Sequence, residues 1–152
     1  MEKELTGSLL EMVKALADKN LPLVSNLSNL SRLIYENIKG TSWCGFYLSF
    51  DNKEELYLGP FQGEIACTLI PYGKGVCGTC ALSKETQLVP NVHECSNHIA
   101  CSSKTNSEIV IPIIKDNKVL GVLDLDSEEY NNFTFENKKE LEEVCSIIKD
   151  LF

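Results

Sequence analysis

Hydrophobic positions change their period twice along the chain. Leu9, Leu10, Val13, Leu16 and Ala17 recur at helical spacing and predict a helix over residues 5–19. A second helix opens at Pro22, a residue suited to a first helical turn. Its inner positions are Leu23, Leu27, Leu30, Leu33, Ile34 and Ile38, and Gly40 stops it. From residue 42 to 50 the period becomes two, with Trp43, Gly45 and Tyr47 on one side and Cys44, Phe46 and Leu48 on the other. A turn leads to strands over 55–60 and about 64–70. Gly73, Gly75 and Gly78 punctuate a loop running into a short helix that ends near residue 84, and a short strand covers 86–90. Glu108–Ile114 and Lys118–Asp126 read as a hairpin around Asp116-Asn117. A last helix runs from Phe135 to Phe152, with Leu141, Val144, Cys145, Ile148 and Leu151 inward. Helices at both ends of a mostly antiparallel sheet make one α+β domain over residues 1–152.

Two places break the pattern. Residues 91–106 are polar without an apolar period and predict a long loop, a common home for function. Asp124 and Asp126 interrupt an apolar strand on one face, while Leu123 and Leu125 serve the other. The spacing allows either a solvated sheet face or carboxylates lining a pocket.

Charge and cysteine content narrow the chemistry. A net charge of −8 opposes binding to a phosphate backbone or an anionic lipid surface. No apolar run is long enough to span a membrane, and MEKELTGSLLEMVKAL lacks a signal-peptide layout, so a cytoplasmic location is expected. Seven cysteines, an odd number, in a reducing compartment point to redox chemistry or metal rather than a disulfide framework. Cys77, Cys80, His93 and His98 match zinc-finger spacing literally. Pro90 and Asn91 deny His93 the helix that a finger requires. A zinc set of Cys95, His98 and Cys101 is less easily excluded, whereas a dithiol pair Cys77–Cys80 is a weak signal without a preceding βαβ unit. Cys44 and Cys145 sit on apolar stripes, where a thiol is an inert filler.

The central motifs separate these options. GPFQG at 59–63 with Ala66-Cys67, GKGVCG at 73–78, HIAC at 98–101, SEIVIP at 107–112 and GVLDLD at 121–126 occur in one order and spacing. From Trp43 to Asp126 the set resembles the free methionine-(R)-sulfoxide reductases, which are GAF-domain enzymes. The resemblance implies a GAF-like fold with the terminal helices packed on one sheet face. It implies Cys101 as nucleophile, Cys67 as the principal resolving thiol and Cys77 as an alternate or relay thiol. It implies a carboxylate cluster of Glu108, Asp124 and Asp126 and an aromatic wall of Trp43 and Tyr47. It further implies no resident cofactor or metal, external thioredoxin as reductant, and a homodimer. Ser102, Cys95, Ser96 and Cys80 depart from the family's usual Asp, Phe, Pro and Ala.

The residues can carry that chemistry. A thiolate attacks sulfur, a proton reaches the departing oxygen, and a second thiol takes up the sulfenic acid. His98 and Lys104 flank Cys101 with positive charge that favours a thiolate. Three converging carboxyls raise at least one pKa, which yields an acid for the oxygen and leaves anions for the substrate ammonium. A required ammonium favours free methionine over a residue in a chain. Trp43 is expected against the methyl–sulfur end, with Gly45 leaving room beside it. Gly75 and Gly78 are expected to let backbone amides meet the substrate carboxylate. His93 is read as a hydrogen-bonding brace of its loop. The competing reading is a GAF module that senses a ligand or redox state without turnover. The absence of an output domain within 152 residues favours the enzyme.

Overall fold

The computed structural model describes residues 5–50, 52–95 and 102–152. Six antiparallel strands form one sheet in the order β3-β2-β1-β6-β5-β4. They are β1 (Trp43–Ser49), β2 (Glu55–Gln62), β3 (Leu69–Pro71), β4 (Gln87–Val89), β5 (Ser107–Lys115) and β6 (Lys118–Ser127). The helices are α1 (Leu9–Leu16), α2 (Leu23–Asn37), α3 (Gly75–Ser83) and α4 (Phe135–Ile148). Single 3₁₀ turns cover Val92–Glu94 and Lys149–Leu151.

Strand alternation divides the interior into two cores. On one face Cys44, Phe46, Ile109, Ile111, Ile113, Leu123 and Leu125 pack with the apolar stripes of α1, α2 and α4. The terminal helices therefore share a face, as expected. On the other face Tyr47, Val110 and Val122 meet Val76, Cys77, Cys80 and Ala81 of α3. α3 is buried on most sides, which explains its lack of a polar stripe. The β5–β6 hairpin closes through Asp116 and Asn117, both left-handed at φ 52° and 63°. That is the two-residue turn whose twist suits an antiparallel pair.

Several boundaries differ from the sequence expectation. α1 is confined to Leu9–Leu16 because Ser8 caps its start and Asn26 captures the chain just after its end. The Asn26 side chain accepts from the Asp18 amide at 2.9 Å and donates to the Asp18 carbonyl at 2.9 Å. β3 begins at Leu69 rather than near 64. Gly63, at φ 128°, turns the chain off the end of β2, and the Glu64 carbonyl serves Trp43 instead of a neighbouring strand. α4 tightens into a 3₁₀ turn at Lys149. The loop from 91 holds a 3₁₀ turn with Val92 fully buried, and no helix precedes His93, in keeping with the failed finger pattern.

Gly78 has a role that the sequence assigned elsewhere. A β-carbon there would overlap the Pro71 carbonyl oxygen, and the Gly78 carbonyl accepts from the Gly73 amide at 2.8 Å. The residue lets α3 sit directly on the turn after β3, so its absent side chain serves helix seating rather than substrate contact. Gly78→Ala should cost about 1–3 kcal/mol in urea unfolding, because a backbone oxygen cannot step aside as a side chain can. Leu82→Ala, on the exposed face of the same helix, should stay within about 0.5 kcal/mol.

Candidate active site

The strand register places three carboxyls together. Asp126 of β6 lies opposite Trp43 of β1 on one side and Glu108 of β5 on the other. Two residues along, Asp124 lies opposite Gly45 and Val110. The period-2 pleat sends all of these to the face covered by α3. Glu108 and Asp124 are only 7% and 4% exposed, so the solvated-face reading of Asp124 is excluded.

Together with Trp43, Tyr47, Cys77 and the start of α3 at Gly75, these carboxyls line one cleft. Its empty volume is about 810 Å³, counted into the solvent at its mouth. Cys77 Sγ and oxygens of Glu108 and Asp124 lie within 4.8 Å of one another. Asp124 Oδ1 and Asp126 Oδ1 are buried without any hydrogen-bond partner. Buried polar atoms are almost always paired, so two orphaned oxygens on one cleft wall mark a place for a donor from a ligand.

Crowding and burial set the proton distribution. Burial pushes Glu108 well above the usual carboxylate range, and the charges of Asp124 and Asp126 push it further. Asp126 is raised by burial and then by Asp124. Asp124 is raised by burial too, but hydrogen bonds from Glu108, Cys77 and Asp126 pull it back. Glu108 and Asp126 are therefore held toward the protonated form, and Asp124 is the carboxyl whose charge its neighbours favour most. Burial raises the Cys77 thiol, followed by the neighbouring carboxylates. Burial, with Asp124 next, holds Tyr47 as a neutral phenol.

The aromatic wall is built around Trp43. Its ring stacks on Phe61 at 5.3 Å and on Tyr47 at 5.9 Å, with interplanar angles of 17° and 24°. Its Nε1 donates to the Glu64 carbonyl at 3.0 Å. The space beside Gly45 is already filled, since a β-carbon there would stand 2.6 Å from the indole edge and overlap Phe61. Gly45 therefore admits the Trp43 ring and leaves no free room for a ligand, which corrects the sequence reading. Phe61 was not singled out as a wall residue, although GPFQG contains it. Only the bulge in the β1–β2 register between Gly45 and Tyr47 brings it onto the indole.

The remaining thiols separate by environment. Cys67 is half-buried in the segment between β2 and β3 and is disulfide-bonded. Cys44, Cys77, Cys80, Cys95 and Cys145 are free thiols. Cys44 and Cys145 are buried with pKa values raised by burial, as expected of inert fillers. Cys80 points at the Val110 carbonyl, 3.6 Å away, and burial raises its pKa as well. Cys101, His98 and Ser96 lie outside the described residues. Lys104, expected as a positive neighbour of Cys101, reaches across the cleft mouth to Glu64 at 3.2 Å. His93 contacts Asn106 Oδ1 at 2.8 Å and braces its loop, as expected.

Comparison with known proteins agrees with this geometry. Residues 25–148 match the GAF domain. The free methionine-R-sulfoxide reductase of Saccharomyces cerevisiae is 45% identical over 97% of this chain and 85% of its own length. That of Escherichia coli is 44% identical over 81% of this chain and 73% of its own. The solved structure of the free methionine-R-sulfoxide reductase from Neisseria meningitidis, in complex with its substrate, superposes with a TM-score of 0.89 at 38% identity. It covers 95% of this chain and 86% of that one. The chain belongs to the GAF-domain family and, within it, to the oxidoreductases known as free methionine-R-sulfoxide reductases.

Proposed function

We propose that this protein reduces free L-methionine (R)-S-oxide to L-methionine. The observation that carries the reading is the pair of orphaned Asp124 and Asp126 oxygens in a cleft walled by stacked aromatics. They receive the substrate ammonium, a donor that a residue inside a polypeptide lacks. Gly75, at φ 62° where α3 begins at the cleft, lets backbone amides approach the substrate carboxylate. The methyl–sulfur end lies against Trp43.

Cys101 attacks the sulfoxide sulfur as a thiolate. Glu108, the carboxyl that holds its proton, protonates the oxygen. Methionine leaves, and Cys101 is left as a sulfenic acid carrying that oxygen. The Cys67 thiol then displaces the oxygen as water and closes a disulfide with Cys101. The disulfide already present at Cys67 supports its role as the resolving thiol. Cys77 has a pKa raised by burial, which makes it a poor first nucleophile and suits it to a relay role.

A dithiol protein of the thioredoxin class returns the pair to thiols, so the reaction needs no resident cofactor. That partner and a homodimeric assembly rest on the family resemblance, and a cytoplasmic setting rests on the sequence pattern. No helix among the described residues is long and apolar enough to cross a membrane. A non-catalytic sensor is the alternative, and turnover separates the two.

Incubation with dithiothreitol and the separate R and S epimers of free methionine sulfoxide should release methionine from the R form only. Cys101→Ser should abolish turnover. Equal activity on a peptide-embedded sulfoxide would refute the ammonium role of Asp124 and Asp126.

Glu108 links the reaction to stability. In the fold it keeps a proton that the unfolded chain releases above about pH 4.3. Stability is therefore lost as pH rises from that value through the folded pKa. Glu108→Gln should flatten the stability–pH slope in denaturant titrations as pH rises above about 4.3. The same variant should lower kcat by roughly 10²–10⁴-fold, the usual worth of a positioned acid. A variant with unchanged kcat would remove Glu108 as the proton donor.

A further inference from the structure

Cys77 stands beside the buried carboxyls of Glu108 and Asp124 at the cleft wall. Its sulfur and one oxygen each of Glu108 and Asp124 form a three-donor set within 4.8 Å. Asp124 is nine-tenths buried, and its Oδ1 is aimed into the cleft without a partner. Neither ion pair among the described residues involves these carboxyls. The cleft opens to solvent, which gives an ion a way in.

We propose that the substrate-free cleft binds a thiophilic divalent cation of the Zn²⁺ class through Cys77 Sγ, Glu108 and Asp124, and that the ion closes the site by taking the ammonium's place. The closing step rests on the substrate reading above, whereas ion binding does not.

The donor set selects the ion. One thiolate with two carboxylates suits a borderline metal that accepts sulfur and oxygen in a tetrahedral shell. Magnesium asks for six oxygens in near-octahedral array and gains nothing from sulfur. Zn–S near 2.3 Å and Zn–O near 2.0–2.2 Å place neighbouring donors roughly 3.5 Å apart. The observed trio, mutually within 4.8 Å, lies close to that spacing. The protons balance simply. The ion enters with two charges, and the thiol proton of Cys77 and the carboxyl proton of Glu108 leave to water. Asp124 enters already ionised. Asp126, opposite Glu108, carries a further orphaned oxygen but stands outside the trio.

Co²⁺ provides a spectroscopic stand-in for Zn²⁺. The test uses a Cys67→Ser/Cys101→Ser chain, reduced with a phosphine, so that the proposed redox pair cannot supply the ligand. One equivalent of Co²⁺ should give a near-ultraviolet thiolate-to-metal band. Adding Cys77→Ser should abolish the band. Adding Asp124→Asn should weaken affinity by more than the ~10–100-fold typical of losing an outer-shell partner. Far-ultraviolet circular dichroism checks that each variant is folded. Glu108→Gln, which keeps the side chain's shape, should retain the band at lower affinity. A missing band in the parent, or a band that survives Cys77→Ser, overturns the site. A band unmoved by saturating free methionine (R)-sulfoxide overturns the closing step. Lack of sulfoxide turnover by the unaltered enzyme would count against the proposed function alone, since metal binding is read without it.

Discussion

Three carboxyl groups share one buried patch of sheet, and much of the second face answers that constraint. Isolated carboxylates at such depth would be expensive, so they must share protons or receive a cation. The register does the sharing. Asp126 and Glu108 face each other across β5 and β6, and Asp124 stands one pleat along. Glu108 keeps its proton and hydrogen-bonds the other carboxyls, and Asp124 is the one whose charge is favoured. The patch is thereby left with two buried carboxyl oxygens that lack a hydrogen-bond partner.

Trp43 ties that patch to the segment that carries Cys67. Its ring lies over Gly45, against Phe61 and Tyr47, and its N–H holds the Glu64 carbonyl. Ala66 and Cys67 follow within three residues of that hydrogen bond. Lys104 closes on Glu64 from the opposite side of the mouth. The aromatic wall and the segment carrying Cys67 therefore form one mechanical unit.

α3 completes the arrangement as a lid on the second sheet face. Gly78 lets it descend onto the turn after β3, and its first residues reach the cleft. The helix brings Cys77 to Asp124 while burying Cys80 against Val110. Two thiols three residues apart thus meet different fates. One faces charge, and the other faces a backbone carbonyl in an apolar setting.

Much of this was legible in the sequence. Period-2 alternation fixed which residues of β1 and β6 face together, because successive side chains on a strand point to opposite sides. The hairpin at Asp116-Asn117 followed from local turn chemistry, and the ordered motifs identified the family. Burial of Asp124 was not legible, since alternation gives a face but not what covers it. The ends of α1 and β3 were misplaced for a similar reason. A side chain eight residues away, Asn26, and the remote Trp43 indole captured backbone groups that local propensity left free. Gly45 and Gly78 read as openings for a ligand, and packing made them seats for Trp43 and α3. The sequence by itself determined the elements, their faces and the reactive residue types, because these depend on neighbours along the chain. Tertiary structure alone decided that three carboxyls, an indole and a thiol converge, because strand register and helix seating depend on residues far apart in sequence.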